Sequence, residues 1–132
     1  MKRSRRSLPR PTQAELEILR VLWQRGPSSV REVHHELSQS RATGYTTVLK
    51  LLQIMTEKGL ARRDDRERTH IYEPGVAQED TQRQLVSDLL ERAFDGSSSQ
   101  LILQALQSRP ASREEIEEIR RLLDEAAGGK KS

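Results

Sequence analysis

Residues 43–52, TGYTTVLKLL, decide how this chain reads. The second half is good helix interior, apolar and unbranched apart from Val48. The first half is poor helix material, because Gly is entropically costly and Thr is stiff at χ1. At 100° per residue, Val48, Leu51, Leu52 and Met55 fall on one side, the side to pack inward. Thr46, Lys50, Gln53 and Glu57 fall on the opposite side, with Thr47 beside them. A helix that starts with hydroxyls and an aromatic, and carries Lys50 among leucines, keeps one face for something other than a core.

The flanking sequence supplies the context. Upstream, TQAE at 12–15 is a capping box, with Thr12 as N-cap and Glu15 reaching back. Leu16, Ile18, Leu19, Leu22 and Trp23 follow at helical spacing until Gly26-Pro27 stops the helix. A second box, Ser29 to Glu32, opens a shorter helix with Val30, Val33 and Leu37 on one side. The polar link SQSRATG leads into the third helix, predicted to run to Gly59. Two β-prone runs, near Leu60–Arg63 and Thr69–Tyr72, flank the charged tip DDRER and close at Pro74-Gly75. Helix, helix, turn, helix and charged hairpin is the order of a winged helix-turn-helix with a two-stranded wing.

The second half is helical throughout. A helix from about Gln78 to Phe94 carries Leu85, Val86, Leu89, Leu90 and Ala93. Asp95-Gly96-Ser97 breaks it, a short apolar helix holds Leu101 to Leu106, and Pro110 ends that piece. Ser112 to Glu115 is a third box, starting a last helix with Ile116, Ile119, Leu122 and Leu123. The expected fold is mainly α. Residues 1–11 read as a flexible basic arm, 12–75 as the winged domain, 76–126 as a helical dimerisation region and 127–132 as a loose tail.

Composition limits the alternatives. Over 132 residues, hydrophobic and charged side chains are each 33%, which is lean for a monomeric globule. Leu85, Leu89, Leu90, Ile116, Ile119 and Leu123 are therefore expected to be buried against a second copy. With no cysteine, disulfides and thiolate metal sites are excluded. No apolar run approaches the roughly 18 residues of a membrane span. The basic start lacks a following hydrophobic segment, so the chain reads as cytoplasmic and not inserted in a membrane.

His34 and His35 are adjacent and point about 100° apart on a helix, so they do not chelate as an i,i+4 pair would. The serines at 97–99 read as a helix start, and there is no Gly-rich phosphate loop. The sequence thus carries no catalytic, metal or cofactor site.

Charge is gathered in two places. Lys2, Arg3, Arg5, Arg6 and Arg10 stand in residues 1–11 without an acid. Residues 41–68 hold seven basic side chains against four acidic ones. Clustered positive charge points to a polyanion, and the order of elements makes it double-stranded DNA. A helix entering the major groove presents its N-terminal turn to base edges and phosphates. Thr46 and Thr47 allow close approach, Lys50 can reach a guanine edge or a phosphate, and Gln53 can pair with adenine. Tyr45 is expected at the helix entry with its hydroxyl on a phosphate. On the wing, Arg66 and Arg68 are the expected backbone contacts, followed by Arg63. Asp64, Asp65 and Glu67 repel phosphate unless neighbouring arginines pair with them. The competing reading is a winged helix used for protein contacts alone.

Taken together, Thr12–Leu19 with Leu22-Trp23, YTTVLKLLQIMTEKGL (45–60), IYEP (71–74), FDGS (94–97) and SREEIEEIRRLLDE (112–125) resemble the penicillinase-repressor family of bacterial transcription regulators. The resemblance spans about Leu8 to Ala126. It implies a homodimeric repressor on an inverted-repeat operator, with half-sites of the TACA and TGTA type. It also implies release by proteolysis from a membrane metalloprotease-type sensor, with the cut near Leu103, Gln104 and Ala105. Three departures stand out. Glu67 replaces the family's usual wing-tip glycine, the C-terminal cysteines of the copper-responsive branch are missing, and so is the asparagine-phenylalanine pair of the antibiotic-resistance members.

Overall fold

Local sequence sets the first two helix starts. In the computed structural model, which describes residues 8–129, Thr12 Oγ1 accepts from the Glu15 N–H at 3.2 Å and the Glu15 carboxylate accepts from the Thr12 N–H at 2.9 Å. That reciprocal pair opens α1 (Gln13–Arg25). Ser29 and Glu32 repeat the arrangement at the start of α2 (Val30–Ser38), at 3.2 and 2.9 Å. Each box satisfies two helix-end groups that would otherwise lack partners.

Between α1 and α2, Ser28–Ser29 forms β1. After α3 (Tyr45–Lys58) come β2 (Ala61–Asp64) and β3 (Ile71–Pro74). The three strands make an antiparallel sheet in the order β1-β3-β2, with Ser28 opposite Tyr72 and Arg63 opposite Tyr72 on the other edge. The sheet therefore has one more strand than the two-stranded wing expected from sequence. A two-residue strand paired to a segment some forty positions away leaves no local periodicity to read. The second wing strand also starts later than expected, at Ile71, because Thr69 and His70 belong to the hairpin connection.

Two glycines fix the hairpin on α3. Gly59 caps the helix in the left-handed region at φ +89°, with the Leu60 N–H bonded to Met55 O at 2.8 Å. Gly75 has no room for a side chain, since a Cβ there would lie 2.5 Å from the Gly59 carbonyl oxygen. The core beneath is formed by Ile18, Leu19 and Leu22 of α1, Val33 and Leu37 of α2, Val48, Leu52 and Met55 of α3, and Leu60 and Tyr72. It is the core of a winged helix.

The chain divides after Val86 into two compact units, so the division falls inside α4 (Gln78–Ala93). The first unit holds every buried residue among those described. It includes the start of α4, where Thr81 is 1% exposed, and Trp23 Nε1–H donates to Val76 O at 3.0 Å. The second unit contains α5 (Ser98–Ser108) and α6 (Arg113–Gly129). Asp95 at φ +50° and Gly96 at φ +80° make the break before α5, and Ser97 Oγ caps that helix by accepting from the Gln100 N–H. From Ser87 to Gly128 no residue is buried. α6 continues to Gly129, past residue 127 where the loose tail was expected to start, because Ala126 and Ala127 are good helix formers. No helix among the described residues is long and apolar enough to cross a membrane.

Candidate nucleic-acid interface

The N-cap of α3 is Gly44, in extended conformation, and no side chain caps the helix there. The Val48 N–H is the first to find a carbonyl, that of Gly44. The amides of the first turn therefore face outward without a side-chain acceptor, an arrangement that favours an anion. This is what the poor helix-forming start of TGYTTVLKLL does in three dimensions.

His34 positions that start. Its Nε2–H donates to Thr43 O at 2.8 Å, and its ring meets Tyr45 edge-on with centroids 5.9 Å apart. Tyr45 is 44% exposed, and Thr46, Thr47, Lys50 and Gln53 are exposed along the outer face. Ile54, 37% exposed, lies one turn beyond Lys50 on the same face. Sequence reading missed it, although an apolar residue off the Val48–Leu52–Met55 stripe was a signal. Its side chain can touch a thymine methyl where Lys50 cannot.

The charge around this face is less available than the composition implied. Of the seven basic residues in 41–68, Arg41 pairs with Glu17 at 2.7 Å and Lys58 with Glu15 at 2.6 Å, both toward α1. Arg62 sits 3.7 Å from its cross-strand neighbour Glu73, and Arg63 pairs with Asp65 at 2.7 Å. Arg66 grips Asp64 through Nε at 2.9 Å and a terminal nitrogen at 2.6 Å, while its own N–H donates to the same carboxylate at 3.0 Å. The Arg66 side chain, then its backbone N–H, hold the Asp64 carboxyl down to about 2. Among the described residues, Lys50 and Arg68 alone of the seven have no acidic partner.

At Glu15, burial pushes the carboxyl up, but the hydrogen bond from Lys58 and those from Thr12 outweigh it and leave it lowered. Lys58 thus belongs to the scaffold and not to the interface. His70 lies on the hairpin, 3.7 Å from Asp65. The basic arm expected over residues 1–11 enters the described region only at Leu8, whose carbonyl accepts from Gln84 Nε2 at 3.0 Å. Lys2, Arg3, Arg5 and Arg6 lie outside the described residues.

An outward polar helix face beside a charged hairpin defines a winged-helix DNA-binding protein. Relatives agree with that class. The penicillinase repressor family matches residues 11–125. The penicillinase repressor of Bacillus licheniformis is 27% identical, covering 96% of this chain and 98% of its own length. The transcriptional regulator BlaI of Mycobacterium tuberculosis is 34% identical over 87% of this chain and 83% of its own. The solution structure of the DNA binding domain of the repressor BlaI superposes with a TM-score of 0.50 at 27% identity, covering 56% of this chain and 90% of that one. The chain belongs to the penicillinase repressor family and is a DNA-binding transcriptional repressor.

Proposed function

We propose that the protein represses transcription in the cytoplasm by binding an inverted-repeat operator as a homodimer, each copy entering a major groove with the start of α3. The observation that carries this reading is the division of α3 into two faces. Val48, Leu52 and Met55 are fully buried, while Tyr45, Thr46, Thr47, Lys50 and Gln53 are exposed, and Lys50 has no acidic partner among the described residues. Base-edge contacts specify a sequence, whereas phosphate contacts position the protein on any duplex. Lys50→Ala and Thr46→Ala are therefore expected to change which operator is preferred, and Arg68→Ala to weaken binding to all duplexes alike. Competition binding against duplexes altered one position at a time checks this. An unchanged preference in Lys50→Ala contradicts the assignment of the reading face.

The homodimer is supported by the exposed apolar faces of α4, α5 and α6. Leu122 and Leu123 are 50% and 52% exposed, and Leu85, Leu89, Ile102, Leu103 and Leu106 are exposed as well. Leu90, Ile116 and Ile119 are only half-buried. Apolar helix faces of this extent need a cover, and a second copy brings the same faces with matching chemistry.

Release by proteolysis, as the family resemblance implies, has a physical route in α5. Leu103, Gln104 and Ala105 are exposed in the middle of an 11-residue helix. Helices shorter than about 12–15 residues are marginal without packing, so local opening there is cheap. A membrane metalloprotease-type sensor would act on the opened segment. Replacing residues 103–106 to block cleavage is expected to keep the operator occupied under inducing conditions. Release by the blocked protein, with the wild type uncut, rejects this route.

A further inference from the structure

In the sequence, the wing-tip arginines look most available to DNA, but in the fold two of them are already committed. Arg63 and Arg66 are each held by an aspartate two positions away, as described above. A different pair of cations is free. Arg31, in the first turn of α2, and Arg68, on the hairpin, line one cleft of about 330 Å³. Neither has an acidic partner among the described residues. Tyr45 and His70 line the same cleft, and no acid does.

We infer that this cleft, with Arg31 and Arg68 as its cations, is where each copy grips the DNA backbone, and that Asp64 and Asp65 keep the tip arginines out of the contact. The inference rests on the DNA-binding reading above and assigns its backbone contact. Two arginines from separate elements line one opening, which Tyr45, the residue that starts the reading helix, lines as well. Each offers a fork of donors suited to phosphate oxygens. For Arg66 to do the same, its side chain would have to leave Asp64 and expose a carboxylate to the phosphate. Asp64 stays ionised at any pH where DNA binding is measured, so mild acidification does not release Arg66. The consequence is a wing that positions the protein at one place and adds little indiscriminate attraction elsewhere along it.

The test is the slope of log affinity against log salt, measured on the full chain with a fluorescent duplex of mixed sequence. Each phosphate neutralised contributes about 0.9 to that slope. With both arginines on one phosphate in the cleft, Arg31→Ala with Arg68→Ala is expected to flatten it by about one unit per copy, and either alone by part of that. Asp64→Asn is expected to steepen it by about one unit per copy, because the charge that neutralises Arg66 is removed while the Asn oxygen still accepts from the Arg66 N–H. Adding Arg66→Ala to Asp64→Asn should restore the wild-type slope. All four positions lie outside the buried core, and thermal melts check that the variants stay folded. A wild-type slope in the Arg31/Arg68 double variant, or no steepening in Asp64→Asn, overturns the inference. A wild-type chain whose binding ignores salt overturns the DNA-binding reading itself, and this inference with it.

Discussion

A chain ending at Val86 is expected to fold as a monomer and to bind the operator about 10²- to 10⁴-fold more weakly than the full chain. All buried residues among those described precede Val86, so the winged core stays complete. Ending at Pro74 instead would strip the cover from Trp23, which is tied to Val76 O, and remove the buried Thr81. The loss of affinity has nothing to do with α3, whose contacts are intact in the shorter chain. It follows from linkage, because in a dimer the second half-site is met at high effective concentration once the first is bound. Light scattering and a binding titration on the same preparation check both halves. A full-length chain that scatters as a monomer at micromolar concentration, or a shorter chain that binds equally well, contradicts the account.

The largest effect on stability is expected from Lys58→Met. Glu15 is 2% exposed, and its carboxylate accepts at 2.6 Å from Lys58 Nζ. Removing one partner of a buried pair leaves an uncompensated charge, at a cost of about 3–5 kcal/mol. Lys58 is itself about a third exposed, so water replaces part of the lost interaction and the low end of that range is expected. This is a large fraction of the ~5–15 kcal/mol that holds such a domain together.

The pH dependence has a definite sign. Glu15 is lowered in the folded wild type, so its contribution is fully present above the carboxyl's unfolded value of 4.5 and is lost as pH falls through the folded value. In Lys58→Met, burial acts with less opposition, the carboxyl rises, and protonation relieves the strain. The stability gap between variant and wild type should therefore narrow as pH drops below about 5. Urea unfolding at neutral and acidic pH reads it directly, and a gap that widens on acidification rules out the assigned pairing.

What sequence reading reached was set by distance along the chain. The capping boxes at Thr12 and Ser29 need partners three residues away, and both are present in the fold. The inward stripe of α3 follows from helical spacing, and Val48, Leu52 and Met55 are indeed buried. The third strand, the Glu15–Lys58 pair and the Arg41–Glu17 pair all join segments far apart in sequence, and none has a local signature. Lys58 and Arg41 were counted with the interface charge because composition cannot tell a cation facing DNA from one facing α1. Arg31 was overlooked for the opposite reason. It is one arginine in an ordinary amphipathic helix until the hairpin brings Arg68 to the same cleft.

Repression as proposed depends on sequence-specific binding by two α3 helices at once. Repeated selection of duplexes from a randomised pool by the full chain, at physiological salt, reads this out, because the protein itself picks out its operator. Convergence is expected on an inverted repeat, with half-site centres about 10 bp apart or a multiple of that, bound by two chains. A pool that fails to converge, or that converges on a single unrepeated site bound by one chain, contradicts it.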